Sequence, residues 1–168
     1  MRPDGPLQTP PEKNIIALLT EGGFFMAEIT MKTEDNRNDA YAVRMAVFVA
    51  EQGYQNEFDD IDNVARFATI YCDGKCVGTG RIFPDPKGEN AVWQVGRIAV
   101  LKEYRKHHLG AAVLTALEVI AKSEHAKKIK LLAQESAVGF YEKCGYETSD
   151  APVAYDEGHP HHWMEKAI

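Results

Sequence analysis

Residues 103–114, EYRKHHLGAAVL, join a cluster of basic side chains to a glycine and then to a helix-forming run. From Leu109 onward, apolar residues recur at the spacing of one helix face. A helix N-terminus leaves backbone N–H groups unpaired and carries partial positive charge, to which Arg105 and Lys106 add. Gly110 lets the backbone approach a bulky phosphate. The segment therefore predicts an anion-binding loop at a helix start.

Taken alone, the basic loop leaves other interpretations open. Its spacing matches neither the G-x-x-x-x-G-K-[ST] phosphate loop nor the G-x-G-x-x-G dinucleotide fingerprint. An ordinary solvated helix start would carry the same residues, and His107 with His108 could bind a metal. We interpret the two histidines as loop residues. The HPHH run at 159–162 also lacks a Cys or acidic partner at a familiar zinc spacing, so we expect no metal.

Composition and net charge limit the classes of protein to which this chain can belong. The chain has 168 residues, enough for one domain with a proper core, and its net charge of −6 counts against nucleic-acid binding. No apolar run approaches the roughly 20 residues that span a bilayer, so we expect no membrane partner. The proline-containing N-terminus does not resemble a secretory signal. Three cysteines, an odd count, indicate reduced thiols and a cytoplasmic protein.

Patterning along the chain predicts the element order β-α-β-β-β-α-β-α-β. The predicted strands are 24–32, 64–71, 75–83, 92–101, 130–134 and 161–167, and the predicted helices are 39–51, 109–120 and 136–143. This order implies a single α/β domain with a central mixed β-sheet flanked by helices. Residues 1–23 are expected to be a poorly ordered N-terminal extension or leader before a domain at 24–168, with Met26 a plausible natural start. Gly96 predicts a bulge or splay where a ligand approaches its strand.

Two motifs together resemble those of the GNAT superfamily of N-acyltransferases, from about Met26 to the C-terminus. RKHHLGA at 105–111 is similar to the pyrophosphate loop [RQ]-x-x-G-x-[GA]. AQESAVGFYEKCGY at 133–146, about 30 residues on, is similar to A-x-x-F-Y-x-K-x-G-[FY]. The strings RMAVFVAEQ at 44–52, VGTGRI at 77–82 and DEGHPHHWM at 156–164 resemble the ElaA-like branch.

The resemblance implies a GNAT-type domain whose splayed central strand and loop bind acetyl-CoA as co-substrate, without a metal. The coenzyme-binding residues that it implies are Ile98, Ala99, Val100, Arg105, Lys106, His107, His108, Leu109, Gly110, Ala111 and Ser136. One position departs from the family pattern, because His108 stands where the loop usually has glycine. The loop is therefore expected to reach its shape without that residue's freedom at positive φ.

The resemblance also suggests catalytic residues. Tyr141 matches the family's tyrosine that faces the coenzyme sulfur and is the candidate general acid, whereas Phe140 is expected in the core. His161 is the candidate base, since histidine titrates in the useful range and a late histidine faces the substrate in related branches. Strand alternation places His159 and His161 on one face and His162 on the other. Glu51 is the rival base, or a solvated residue at a helix end.

The implied reaction is direct transfer of an acetyl group from acetyl-CoA to a small-molecule primary amine in a ternary complex. A non-catalytic coenzyme-A-binding sensor or interaction module is the alternative, and a homodimer is compatible with either. Arg44, Glu51 and Arg97 are the candidate substrate-binding residues. The acidic loop at 55–62 could attract a cation or be solvated, whereas the arginines could bind a carboxylate. These options predict opposite substrate charges, and both stay open here.

Overall fold

The computed structural model describes residues 14–20 and 23–168, with side chains from Met26 onward. The strands are β1 (Asn14–Thr20), β2 (Gly23–Lys32), β3 (Arg66–Cys72), β4 (Lys75–Pro84), β5 (Val92–Val100), β6 (Lys128–Gln134), β7 (Glu147–Thr148), β8 (Ala154–Asp156) and β9 (His159–Ala167). The α-helices are α1 (Arg37–Arg44), α2 (Leu109–Ser123) and α3 (Val138–Lys143). A π-helix at Met45–Glu51 continues α1, and 3-10 turns occupy Asp60–Asn63, Lys102–Tyr104 and Glu135–Ala137.

The strands form one mixed sheet in the order β1-β2-β3-β4-β5-β6-β9-β7, with β8 paired to β9. The pair β5–β6 is parallel, and the other pairs are antiparallel. Helix α2 is the crossover between the two parallel strands, as a parallel connection requires. The predicted fold class, a mixed sheet flanked by helices, is confirmed.

The two parallel strands diverge in the middle of the sheet. Their pairing runs from Val92–Lys128 to Val95–Leu131. Beyond that point β5 stays with β4 as far as Val100–Gly78, and β6 stays with β9 as far as Gln134–His161. The sheet therefore opens into a V whose arms are the C-terminal halves of β5 and β6, as expected for a splayed central strand.

A bulge lies on the β5 arm of this V. The β4–β5 register shifts between Thr79 and Arg81, opposite Arg97 and Ile98, and Arg97 has a φ of 55°. Gly96 was expected to mark the irregularity, but the left-handed residue is its neighbour Arg97. A Cβ added to Gly96 would meet only the Arg81 Nε, at 3.9 Å, so space does not require glycine there.

Helix α2 packs on β3, β4 and β5 and supplies much of the core. Val113 and Leu117 are fully buried there, as the one-faced apolar pattern predicts, and Leu114, outside that pattern, is buried as well. Gly80 allows the close approach, because a Cβ at that position would lie 2.7 Å from Ile98 Cδ1 and 2.8 Å from Leu117 Cδ1. None of the helices in the described residues is long and apolar enough to cross a membrane.

The N-terminal region differs in part from the prediction. Within the expected extension at 1–23, residues Asn14–Thr20 form β1 and pair with β2 from Asn14–Ile29 to Thr20–Gly23. This stretch was expected to lack order, and antiparallel pairing explains the difference. Residues 1–13 and 21–22 lie outside the described part of the chain, and the domain boundary near residue 24 remains a prediction.

Candidate functional site

The predicted anion loop leads from β5 into α2. It contains the turn Lys102–Tyr104 and two residues in the left-handed region, Lys106 with a φ of 68° and His108 with a φ of 59°. His108 is the N-cap of α2, without a side-chain capping bond. The loop was expected to reach its shape without glycine's freedom at positive φ, and His108 itself adopts the left-handed conformation. A left-handed conformation costs a non-glycine residue about 1–2 kcal/mol, although histidine is among the residues enriched there.

Replacing His108 by glycine should raise the free energy of unfolding by up to about 1 kcal/mol, as measured by urea titration. The gain is the strain removed at positive φ, reduced by the greater freedom of glycine in the unfolded chain. His108→Val is the control for the opposite direction. A β-branched residue is an outlier at this φ, so this variant should lower the free energy of unfolding. A glycine variant that is less stable than the original would contradict the strain argument.

A cleft of about 280 Å³ lies beside this loop. It is lined by Val100, Tyr104, Arg105, Lys106, His108, Leu109, Gly110, Ala111 and Phe140. It thus brings together most of the residues predicted to bind coenzyme. Of the others, Ile98 and Ala99 lie on the β5 arm, His107 is half-buried in the loop, and Ser136 is exposed just after the β6 arm.

Arg105 connects the loop to two other elements. Its Nε donates to the Val100 carbonyl at 2.9 Å, and its Nη1 and Nη2 donate to the two carboxylate oxygens of Glu51 at 2.7 and 2.6 Å. Each terminal nitrogen keeps one further N–H, because a guanidinium carries five donors. The same contact lowers the pKa of Glu51, mainly through the hydrogen bond from Arg105. An ionised, paired Glu51 is a poor general base and has little capacity to bind substrate.

The aromatic pair on α3 is placed in the reverse of the expected order. Phe140, predicted in the core, is half-buried and lines the cleft, with its Cζ 3.4 Å from where a Cβ on Gly110 would lie. Tyr141 is buried against Phe140 and Tyr146, at centroid distances of 4.9 and 6.0 Å. Burial raises the pKa of Tyr141, which makes its phenol a weaker acid, and Tyr141 is not among the residues that line the cleft.

A second, smaller pocket of about 30 Å³ opens at the end of the V. It is lined by Phe48, Tyr54, Glu57, Arg97, Gln134, Asp156 and His161. His161 is buried, and its Nδ1 lies 2.9 Å from the His159 carbonyl oxygen. Since a carbonyl can only accept, Nδ1 carries the hydrogen and the neutral ring has its lone pair on Nε2. His161 therefore has the tautomer that a general base needs.

The alternation predicted for the histidines of β9 is confirmed by their neighbours. His159 stacks on Tyr54 with centroids 5.3 Å apart, on the side of the small pocket that His161 lines. His162 instead places its Nε2 3.5 Å from a carboxylate oxygen of Glu135. In the described part of the chain, no group of three or more His, Cys, Asp or Glu residues is arranged to bind a metal ion.

Three carboxylates of the acidic loop at 55–62 are paired with arginines, whereas Asp60 is exposed. Arg44, with no exposed surface, donates to Glu57 at 2.6 Å and to both oxygens of Asp62 at 2.7 and 3.0 Å. Arg81 donates to both oxygens of Asp59 at 2.6 and 2.8 Å and also to Asp62. Buried carboxylates need such partners, because an unpaired charge in the interior is very costly.

This arginine–carboxylate network changes two of the substrate-binding predictions. Arg44 is fully enclosed, so it cannot touch a substrate, and the prediction for it is wrong. Arg97 does line the small pocket, but its Nε lies 3.1 Å from a carboxylate oxygen of Glu57 and its Nη2 lies 3.9 Å from Asp59. The positive charge that was expected to bind a carboxylate is therefore already neutralised.

Sequence reasoning missed four residues of the small pocket, Phe48, Tyr54, Gln134 and Asp156. Tyr54 is buried with its hydroxyl 3.3 Å from the Gln134 Nε2, which also donates to Gln52 at 2.9 Å. Asp156 lies at the rim, in the short strand β8. Phe48, Gln134 and Asp156 lie in three of the strings on which the family resemblance rests, and that position was the available signal for them.

Comparison with known proteins agrees with this geometry. The sequence profile of the Acetyltransferase (GNAT) family matches residues 25–146. The Bacillus subtilis uncharacterized N-acetyltransferase YjcF is 34% identical over 143 residues, which is 84% of this chain and 99% of YjcF.

Two solved structures show the same fold at lower identity. Escherichia coli ElaA is 21% identical with a TM-score of 0.70, over 84% of this chain and 99% of its own. An aminoglycoside 6′-N-acetyltransferase, solved in complex with coenzyme A, is 16% identical with a TM-score of 0.66, over 82% of this chain and 96% of its own. GNAT-fold proteins of this architecture thus include one seen with the coenzyme.

Proposed function

Because the chain belongs to the GNAT acetyltransferase family, we propose that it transfers an acetyl group from acetyl-CoA to the primary amine of a small molecule. The observation that carries this proposal is the V between β5 and β6, with an anion loop at one arm and a buried histidine at its end. The coenzyme diphosphate would lie on the N–H groups of the loop and the start of α2.

The amine must lose a proton before it can attack. An amine with a pKa near 10.4 is only about 0.04% neutral at pH 7, and deprotonation costs about 4.6 kcal/mol there. The Nε2 of His161 would accept this proton. The nitrogen lone pair then forms a bond to the thioester carbonyl carbon, and the C–S bond breaks to release the thiolate.

The remaining groups stabilise charge as it develops. Backbone N–H groups of the bulged arm at Ile98–Val100 would donate to the carbonyl oxygen as it becomes negative. Tyr141 would give a proton to the departing thiolate, so that the products are an amide and free coenzyme A. This role rests on the family motif alone, because Tyr141 is buried and lines neither pocket. The three free cysteines are consistent with a reducing compartment such as the cytoplasm.

Acetyl-CoA at 100 times its dissociation constant should raise the melting temperature by roughly 5–10 °C, measured by differential scanning fluorimetry. Arg105→Ala combined with Gly110→Trp should abolish this shift, because the second change fills the cleft beside Phe140. Arg66→Ala is the control, at an arginine outside the cleft lining whose ion pair with Glu124 is partly exposed.

The alternative, a non-catalytic coenzyme-A-binding module, makes a different prediction in the same experiment. It gives the thermal shift but no release of free thiol with any amine. A screen of amines for thiol release therefore separates the two functions, and no shift at millimolar acetyl-CoA would exclude both.

A further inference from the structure

Of the two carboxylates that line the small pocket, one is paired with arginines and the other is not. Glu57 accepts from Arg44 at 2.6 Å and forms an ion pair with Arg97 at 3.1 Å. Asp156 is exposed at the rim, and its carboxylate has no hydrogen-bond or ion-pair partner within the residues that the structure describes. The pocket therefore presents one uncompensated negative charge to an incoming acceptor.

The negative charge of Asp156 influences the groups that line the pocket. Burial raises the pKa of the Tyr54 phenol, and the nearby Asp156 carboxylate raises it further. Phe48 and Tyr54 meet edge to face with their ring centroids 6.4 Å apart, but Arg97 lies over the Phe48 ring at 6.0 Å and His159 lies against Tyr54 at 5.3 Å. The aromatic faces are therefore occupied, and it is the negative charge at the rim that favours an ammonium group.

The hairpin that carries Asp156 is fixed in place. The carboxylate of Glu157 accepts hydrogen bonds from the backbone N–H groups of Gln55 and Asn56, at 2.9 Å from each. This contact holds the tip of the β8–β9 hairpin against the segment that supplies Tyr54 and Glu57. Asp156 is therefore presented on an anchored strand.

The strand register sets the distance between Asp156 and the candidate base. Ala154 pairs with His161, and Asp156 pairs with His159. Asp156 therefore lies two positions along the strand from the residue that pairs with His161. Two residues of a strand span about 7 Å. The pocket volume of about 30 Å³ has room for about two water molecules, which suits the amine end of a narrow chain.

We propose that the acceptor is a small, linear amine that carries a second positive charge, of the diamine class. One nitrogen lies at His161, loses its proton and is acetylated, while the second stays an ammonium and pairs with Asp156. This inference rests on the proposed function. It also decides between the two substrate charges that the sequence left open, because the arginines are paired and Asp156 is not.

The test compares three C4 amines with acetyl-CoA in a thiol-release assay: 1,4-diaminobutane, n-butylamine and 4-aminobutanoate. In the original protein, kcat/KM should be about 10-fold higher for the diamine than for butylamine, and lowest for the aminobutanoate. Asp156→Asn should lower kcat/KM for the diamine about 10-fold and so remove the preference over butylamine. Asp150→Asn, a change of an exposed carboxylate outside the pocket lining, should change neither.

The outcomes separate this inference from the function on which it rests. Turnover of all three amines with equal kcat/KM, or a diamine preference that survives Asp156→Asn, overturns the inference and leaves the acetyltransferase standing. A thermal shift with acetyl-CoA but no thiol release from any of the three amines overturns the inference, and the wider amine screen then decides on the acetyltransferase. An unchanged shift with acetyl-CoA in Asp156→Asn shows that the variant is folded.

Discussion

Replacing Arg44 by methionine should lower the free energy of unfolding by about 3–5 kcal/mol. The guanidinium is fully buried and donates four hydrogen bonds to Glu57 and Asp62. Methionine fills a similar length of side chain but leaves both carboxylates without that partner in the interior. The measurement is urea-induced unfolding followed by circular dichroism, with the melting temperature expected to fall on the order of 10 °C.

Two further variants make this result interpretable. Arg66→Met removes an arginine that pairs with Glu124 at 2.8 Å, but both side chains are more than a third exposed, so its cost should stay below about 1 kcal/mol. Adding Glu57→Gln to Arg44→Met should recover part of the loss, because a neutral amide no longer places a charge in the interior. A loss below 1 kcal/mol for Arg44→Met would mean that Arg81 and Arg97 compensate both carboxylates.

The fold could be predicted from the sequence because its main elements carry local signals. The apolar face of α2 and the Asp73–Gly74 turn between β3 and β4 are visible without any knowledge of distant neighbours. The short strand β8 has no pattern of its own, and its pairing with β9 depends on the turn at Glu157 and Gly158. Elements of two or three residues form only because a longer strand is already in place.

The site was predictable only where a motif is contiguous. The loop at 105–111 lies in one stretch of chain, so the residues that line the cleft could be named from the sequence. Ion pairs between distant parts of the chain could not be predicted, because Arg105 and its partner Glu51 are 54 positions apart. Arg44 meets Asp62 across 18 positions, and in the sequence the acidic loop looks like a solvated surface. Burial of charge is a tertiary property, and local composition does not contain it.

The largest effect on turnover is expected from His161→Ala, which should lower kcat/KM for the diamine by about 10²–10⁴-fold. The ring is fixed by the bond from Nδ1 to the His159 carbonyl, with the Nε2 lone pair free to accept a proton in the pocket. Alanine leaves deprotonation of the amine to solvent. The rate of the variant should then rise about tenfold per pH unit up to the pKa of the amine, near 10.4, since only the neutral amine attacks.

His162→Ala is the matched control, because that ring lies on the opposite face of β9 beside Glu135 and away from the pocket. This variant should keep kcat/KM within about 3-fold of the original. The change in activation free energy is small, because a tenfold change corresponds to about 1.4 kcal/mol. Added imidazole should restore part of the activity of His161→Ala and none in His162→Ala, because alanine leaves space for a free base beside the acceptor. A loss below 10-fold in His161→Ala, or a pH–rate profile that matches the original, would place the base elsewhere in the pocket. The loss of a ring that only packs would lower the melting temperature, whereas loss of the base changes the pH dependence of turnover.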